Sequence, residues 1–146
     1  MKESNFWSQH CRAPLNKGMV SDRIENVAGS GMPDVSYSID DVTGWLELKV
    51  EKAGLLYFQR SQLPWMIRRL RHCSRVFVLA YGTIGVVRLI HAPEVLRAEQ
   101  AMVKKWVTVR WKDLTPVVEL RAKPWRWENV REVLNSGVHG RAPAIG

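Results

Sequence analysis

The sequence predicts an α/β fold in which helices flank a central mixed β-sheet. Residues 45–50 alternate between two kinds of side chain, which is typical of a strand. Residues 75–81 form a near-continuous apolar run, which is typical of a strand buried on both faces. Between these segments, apolar residues recur at helical spacing over residues 61–72. Strands and a helix in close succession indicate layers of sheet and helix.

The length and composition fit one globular domain. The chain has 146 residues, of which 46% are hydrophobic and 25% are charged, a balance that can bury a sizeable core. We expect a single domain over residues 1–137. The Gly, Ala and Pro content of residues 138–146 favours a mobile C-terminal tail.

The charge balance favours a polyanionic partner. The chain carries 22 Lys and Arg residues against 14 Asp and Glu residues, a net charge of +8. DNA or another nucleic acid is the partner we expect, with an anionic membrane surface as the competing polyanion. No apolar run approaches the roughly 20 residues that span a bilayer, and the N-terminus has no hydrophobic signal region. The sequence therefore predicts a soluble, cytoplasmic protein with no membrane partner.

Two cysteines, Cys11 and Cys73, each follow a histidine. Neither pair has the Cys-x2-Cys type of spacing that marks a zinc site. We therefore predict free thiols, which suit a reducing cytoplasm.

Three residues carry the clearest chemical signal: Asp34, Glu47 and Lys49. In a strand over residues 45–50, Glu47 and Lys49 share one face, so the carboxylate and the amine project together. Asp34 precedes a second β-prone segment, residues 35–39, and antiparallel pairing of the two strands would bring Asp34 beside Glu47. Two converging carboxylates repel each other unless a hard cation with oxygen ligands lies between them. Mg²⁺ is the cation we expect, and Mn²⁺ is a possible substitute.

Asp34 follows Pro33, and Glu47 stands two residues before Lys49. This pattern resembles the PD-(D/E)XK nuclease superfamily, whose shared core is a small mixed sheet flanked by helices. The resemblance implies a restriction-endonuclease-like core that hydrolyses phosphodiester bonds. Asp34 and Glu47 would hold the metal, and Lys49 would orient the attacking water or stabilise charge on the phosphate. A solvated strand face is the alternative for a Glu-x-Lys by itself.

Residues 20–27 are interpreted as the second of two N-terminal helices, ahead of a Gly-Ser-Gly loop at residues 29–31. Several nuclease families that this chain resembles place a further glutamate on a helix upstream of the Pro-Asp, and Glu25 is the residue that matches. The resemblance makes Glu25 a third metal ligand, and a solvent-facing glutamate is the alternative. The glycines would let the backbone approach a phosphate closely, and Ser30 would add a hydroxyl contact.

A basic helix is predicted over residues 61–72. Ser61 is a suitable N-cap, and Pro64 falls in the first turn. Gln62, with Trp65 three residues later, resembles the VRR-NUC branch and related phage-type nucleases, in which this glutamine belongs to the active site. Gln62 would then orient water or contact phosphate, and a solvent-facing glutamine is the alternative. Four other residues at helical spacing are expected to form the buried stripe: Leu63, Met66, Ile67 and Leu70.

The next segments supply a hairpin and a helix. Residues 75–81 and 86–90 are predicted as two strands joined by a tight turn. Residues 93–103 are interpreted as a helix that ends at Lys104 and Lys105, where the helix dipole favours cations. Its inward residues are expected to be Val95, Leu96, Met102 and Val103.

The last part of the chain is predicted to contain a strand followed by a helix. Residues 106–111 are β-prone, so we expect a further strand there. Residues 125–134 are predicted as a short helix with Val130, Val133 and Leu134 inward, and Gly137 would end it.

Basic side chains concentrate around residues 60–75 and 104–112. Lysines and arginines that neutralise phosphates release counterions, which is the main source of sequence-independent affinity for DNA. The residues that we expect to contact DNA are Ser30, Arg60, Arg68, Arg69, Lys104 and Lys105.

Together these features predict a metal-dependent DNA endonuclease. The core resembles those of Holliday-junction resolving enzymes and of phage nucleases that cut branched DNA. Branched or four-way-junction DNA is therefore the expected substrate, and a phage-encoded protein acting in the host cytoplasm is one possible source. Symmetric resolution of a junction implies a C2 homodimer. The alternatives are a VRR-NUC-like monomer acting on flaps or single strands, and a basic, tryptophan-rich protein that binds nucleic acid without catalysis.

Overall fold

The computed structural model describes residues 1–24, 31–138 and 144–145, and it shows a mixed α/β fold. Its helices are α1 (Glu3–Phe6), α2 (Arg12–Leu15), α3 (Gln62–Leu70), α4 (Ala92–Arg97) and α5 (Trp127–Ser136), with a π-helical turn at Trp7–Cys11 and a 3-10 turn at Trp111–Asp113. Its strands are β1 (Val20–Arg23), β2 (Val35–Ile39), β3 (Val42–Val50), β4 (Leu55–Gln59), β5 (Val76–Tyr81), β6 (Val87–His91), β7 (Gln100–Val103), β8 (Trp106–Arg110), β9 (Val118–Leu120) and β10 (Ala144–Ile145).

The strands form two sheets. The larger has the order β1-β2-β3-β5-β6-β9-β10, with β3 parallel to β5 and antiparallel to β2. The smaller has the order β4-β8-β7 and is antiparallel throughout. The central mixed sheet is confirmed. The smaller sheet was not predicted, because β4 is distant in the chain from β7 and β8, and residues 100–103 were expected to be helical.

A hydrophobic core lies on each face of the larger sheet. On one face, the N-terminal helical segment and α5 cover Leu46 and Leu48 of β3. On the other face, α3, α4 and the smaller sheet pack against Val76 and Val78 of β5. Helices therefore flank both faces, and β5 is buried on both, as its apolar run predicts.

The predicted helix over residues 20–27 is wrong where the structure describes it. Val20–Arg23 is a strand that pairs antiparallel with β2. It is an edge strand with mostly exposed side chains, so burial imposes no alternation that would mark it as a strand. Residues 25–27, including Glu25, lie outside the described residues.

The predicted helix over residues 93–103 is correct only in its first half. Helix α4 ends at Arg97, and Gln100–Val103 becomes strand β7, which forms a hairpin with β8. Met102 and Val103 are 55% and 43% exposed, so they do not face inward. Pairing with β8 outweighs the helical spacing of these residues, since secondary-structure propensity is weak against tertiary context.

Helix α3 is present, but its buried face differs from the prediction. Ile67 is 45% exposed, whereas Gln62 and Trp65 are buried with Leu63 and Met66. The buried face of the helix therefore includes Gln62 and Trp65 in place of Ile67. Ser61 precedes the helix without a side-chain capping hydrogen bond.

Gly31 lies against the residue that precedes α3. Its φ is +78°, and a Cβ there would lie 2.2 Å from the carbonyl oxygen of Ser61. The glycine lets the chain pass against the start of α3, so the close approach that it permits in the described structure is to protein backbone.

The C-terminal region follows the prediction up to Gly137. Val130, Val133 and Leu134 of α5 are buried, and Gly137 ends the helix with a φ of +82°. Ala144–Ile145 pairs parallel with β9. No helix within the described residues is both long and apolar enough to cross a membrane.

Candidate active site

Strand pairing brings Asp34 and Glu47 together. Val35 at the start of β2 pairs with Leu46 of β3, so the residue before β2 lies next to Glu47. The backbone N–H of Leu48 donates to Oδ2 of Asp34 at 2.9 Å, which holds this carboxylate against β3. The predicted juxtaposition of the two acids is therefore present in the structure.

Glu47 lies in an environment that disfavours its charge. The side chain is 1% exposed, and this burial raises the pKa of Glu47 well above its ordinary value. A side-chain hydrogen bond with the Asp34 carboxyl raises the pKa further, as does the negative charge of Asp34, while the Lys49 ammonium acts in the opposite direction. Oε2 of Glu47 is buried and has no hydrogen-bond partner among the described residues.

Lys49 projects from the same face of β3 and is held by Gln62. Its ammonium donates to Oε1 of Gln62 at 3.0 Å and lies 4.7 Å from the ring centroid of Phe58. The same Oε1 accepts the backbone N–H of Gln59 at 2.8 Å. Gln62 is thus buried and oriented by two donors, which excludes the solvent-facing alternative and shows that it contacts Lys49.

These residues line one cleft of about 580 Å³. Glu3 of α1 also lines it, and its charge adds to the raised pKa of Glu47. Three basic residues stand in the same lining: Lys2, Arg23 and Lys52. Sequence reasoning missed all four: Lys2, Glu3 and Arg23 are brought to the cleft by the tertiary fold, and Lys52, although close to Lys49 in sequence, carried no motif.

The donor set fits a hard divalent cation. Mg²⁺ usually keeps several waters and binds through one or two carboxylates plus substrate phosphates. Asp34 and Glu47 supply two carboxylates, and the unpartnered Oε2 of Glu47 is an oxygen whose desolvation a cation would offset. Among the described residues, no group of three His, Cys, Asp or Glu side chains is arranged to hold a metal without other ligands.

The described residues that were predicted to contact DNA do not line this cleft. They lie in two other regions of the surface. Arg68 and Arg69 line a shallow depression on α3 with Trp65 and His72. The Arg69 guanidinium lies 4.8 Å from the Trp65 ring centroid and is also stacked near Trp45. Arg60 is exposed just before α3.

Lys104 and Lys105 occupy the turn between β7 and β8, so they do not end a helix as predicted. Ser30 and Glu25 lie outside the described residues. Cys11 is buried, Cys73 is half-buried, and both are free thiols.

No family model and no curated protein matches this sequence. Among solved structures, the fold is similar to that of Hjc from Archaeoglobus fulgidus, a Holliday junction resolvase from an archaeal hyperthermophile. The TM-score is 0.55 at 14% sequence identity, and the match covers 79% of this chain and 92% of the other. At this identity the similarity establishes the fold alone. The predicted fold class is confirmed.

Proposed function

We propose that this protein is a metal-dependent DNA endonuclease that acts on branched DNA. One observation carries the proposal: a fully buried glutamate, Glu47, has an unpartnered oxygen beside a second carboxylate, Asp34, and a lysine, Lys49. A buried acid without a partner destabilises a fold, so its presence in a cleft indicates a functional site.

Each residue has a role in the proposed reaction. Mg²⁺ held by Asp34 and Glu47 would polarise a phosphoryl oxygen and lower the pKa of a bound water. The Lys49 ammonium, fixed by Gln62, would stabilise the charge that develops on the phosphate. Gln62 positions Lys49 and leaves its own amide N–H₂ available to the attacking water or a phosphate oxygen.

The electrostatics of the cleft support a nucleic-acid substrate. Its acidic floor suits a cation, and Lys2, Arg23 and Lys52 in the same lining suit phosphates. The net charge of +8 would also favour association of the whole protein with a polyanion. The proposed Holliday-junction preference is supported by the similarity of the fold to that of a junction resolvase. Two symmetric cuts would need a C2 dimer.

The test is a cleavage assay on four DNAs: a four-way junction, a flap, a linear duplex and a single strand. We expect Mg²⁺-dependent cleavage that is fastest on the junction and is absent in chelator and in Asp34→Asn. Fastest cleavage of the flap or the single strand by a monomer would instead favour the VRR-NUC-like function. Binding without cleavage under all these conditions would favour the non-catalytic DNA-binding protein.

A further inference from the structure

Two aromatic side chains, Tyr57 and Trp106, form part of the lining of the same cleft. Tyr57 is on β4, and Trp106 begins β8, where it pairs with Gln59 of β4. Tyr57, Gln59 and Trp106 therefore share one face of the smaller sheet. The two rings are 6.4 Å apart between centroids and stand at 89° to each other, edge to face.

This pair does not belong to the hydrophobic core. The opposite face of the smaller sheet is the buried one, where Leu56, Phe58 and Val107 pack under the larger sheet. Tyr57 and Trp106 are only half-buried. The half-exposed aromatic surface beside three carboxylates and several cations is available to a ligand with an apolar face.

Strand pairing and two hydrogen bonds relate the pair to Lys49. Gln59, directly opposite Trp106, donates its N–H to Oε1 of Gln62, which also accepts from Lys49. Lys49 and Trp106 also line the same cleft, so a group bound against Trp106 would share that cleft with a phosphate that Lys49 contacts. The cleft of about 580 Å³ is also far larger than a cation and its waters require, since one water takes roughly 30 Å³.

The charge around the pair fits a nucleotide. The Lys105 ammonium lies 5.4 Å from the Trp106 ring centroid, so one short segment offers both a stacking surface and a phosphate contact. Proteins that bind single-stranded nucleic acid combine these two features. A base paired within a duplex has both faces covered by its neighbours and could not stack on a side chain.

We propose that Tyr57 and Trp106 form a subsite that stacks one unpaired nucleobase next to the scissile phosphate. Resting on the proposed function, this subsite gives a physical reason for a preference for branched DNA: a flap carries unpaired nucleotides, and a base at a branch point costs less to unpair than a base within a continuous duplex. The recognised feature is the exposed face of a base, so the subsite is tolerant of sequence.

Photo-crosslinking tests the contact directly. A flap and a four-way junction carry one 5-iodouracil, placed in turn at each position around the branch, and bind the wild-type protein in Ca²⁺ to suppress cleavage. Trypsin then separates the two rings into different peptides, residues 53–60 for Tyr57 and residues 106–110 for Trp106. We expect crosslinks in one or both of these peptides from an unpaired position. Crosslinks that map only to other peptides would overturn the subsite.

A substitution series at Trp106 supplies the second readout. Trp106→Leu keeps an apolar side chain but removes the π face, and it is expected to weaken binding of a short single strand by about tenfold relative to a fully paired duplex. Trp106→Phe, the matched control, keeps a ring and should retain most of the affinity. Equal losses on both DNAs would contradict stacking. Thermal unfolding of each variant checks that it is folded.

The inference and the proposed function can fail separately. Crosslinking in Ca²⁺ reports stacking whether or not the protein cuts DNA. Mg²⁺-dependent cleavage by wild type with no crosslink at Tyr57 or Trp106 would overturn the subsite alone. Crosslinks at these residues without cleavage of any of the four DNAs would overturn the nuclease and leave a binding site for single-stranded nucleic acid.

Discussion

Glu47 and Glu51 lie close together in sequence, and both side chains are covered from solvent, at 1% and 6% exposure. Their surroundings are opposite. Oε2 of Glu47 has no hydrogen-bond partner among the described residues, whereas both oxygens of Glu51 accept hydrogen bonds. The donors to Glu51 are the N–H of Gly54 and the N–H and hydroxyl of Thr83.

The two pKa shifts follow from these partners. Burial raises the pKa of Glu47, and its neighbours Asp34 and Glu3 add to the rise. Burial also acts to raise the pKa of Glu51, but the hydrogen bonds from Gly54 and Thr83 outweigh it and lower the pKa below its ordinary value.

The comparison separates a carboxylate that stabilises the fold from one that we propose to be functional. Glu51 ties the turn at Gly54 to the turn at Thr83 and so stabilises the sheet where β3 and β5 end. Glu47 is left without the donors that would stabilise its charge, which is costly for the fold and useful only if a cation supplies what the protein does not. Both residues are buried, so burial does not distinguish them. They differ in whether their carboxylate oxygens accept hydrogen bonds.

The strongest test of this difference is the same substitution at both positions. Glu47→Gln is expected to reduce single-turnover cleavage by about 10³-fold or more, because it removes a metal-binding charge worth several kcal/mol in the transition state. Glu51→Gln should leave the rate near that of the wild type. Binding in Ca²⁺ checks that Glu47→Gln still associates with DNA. Equal rates in the two variants would remove the functional assignment of Glu47.

Lys49→Ala should have the next largest effect. Loss of a preorganised charge next to the phosphate is expected to slow the chemical step by about 10²-fold. Lys52→Ala is the matched control, because Lys52 lines the same cleft but is exposed at its edge. Single-turnover rates at saturating enzyme measure both variants. A similarly small loss of rate in both variants would show that Lys49 contributes only to the overall positive charge of the cleft.

Gln62→Ala is expected to slow cleavage by about tenfold, the smaller end of the range for residues that orient groups at a metal site. It also leaves the Gln59 N–H and the Lys49 ammonium without their shared acceptor, so some loss of stability should accompany it. Gln62→Glu keeps an acceptor and should recover more activity than Gln62→Ala. Activity per folded molecule, from rates and urea unfolding together, decides whether Gln62 acts only on stability.

In chelator, the free energy of unfolding should be affected more by Glu51→Gln than by Glu47→Gln, which is the opposite of their order in cleavage rate. Glu51→Gln has one oxygen where the wild type uses two, so it should lower the free energy of unfolding by about 1 kcal/mol, roughly fivefold in the folding equilibrium. Glu47→Gln removes the cost of burying a charge and is expected to match or exceed the wild type. Urea titrations at pH 7.5 in EDTA measure both. A clear loss of stability in Glu47→Gln would mean that this carboxylate stabilises the fold.

The smallest expected effect is a pH dependence of the Glu51 contribution. Since the folded state lowers the pKa of Glu51, its hydrogen bonds stabilise the fold above the unfolded value of about 4.3. The contribution is lost as pH falls through the lower folded value. The difference in unfolding free energy between wild type and Glu51→Gln should therefore shrink between pH 6 and pH 3. A difference that stays constant over this range would assign it to packing.

Local patterns were sufficient for the strands and the helix that form the centre of the site. Alternation over residues 45–50 correctly predicted that Glu47 and Lys49 share a face of β3, and pairing of β2 with β3 correctly placed Asp34 beside Glu47. The apolar run before Tyr81 predicted β5, and the helix that begins at Gln62 was also predicted. These features depend on the period of two or 3.6 residues along one short segment, so the sequence by itself determines them.

Only the tertiary structure decided what meets these residues in the cleft. Glu3, Tyr57 and Trp106 come from three separate parts of the chain, and no periodicity links them to Glu47. The fate of residues 100–103 was likewise decided by pairing with β8, which turned a helical spacing into an exposed strand. Which strands pair, and which oxygens remain without donors, depends on contacts between distant segments whose energy no local pattern carries.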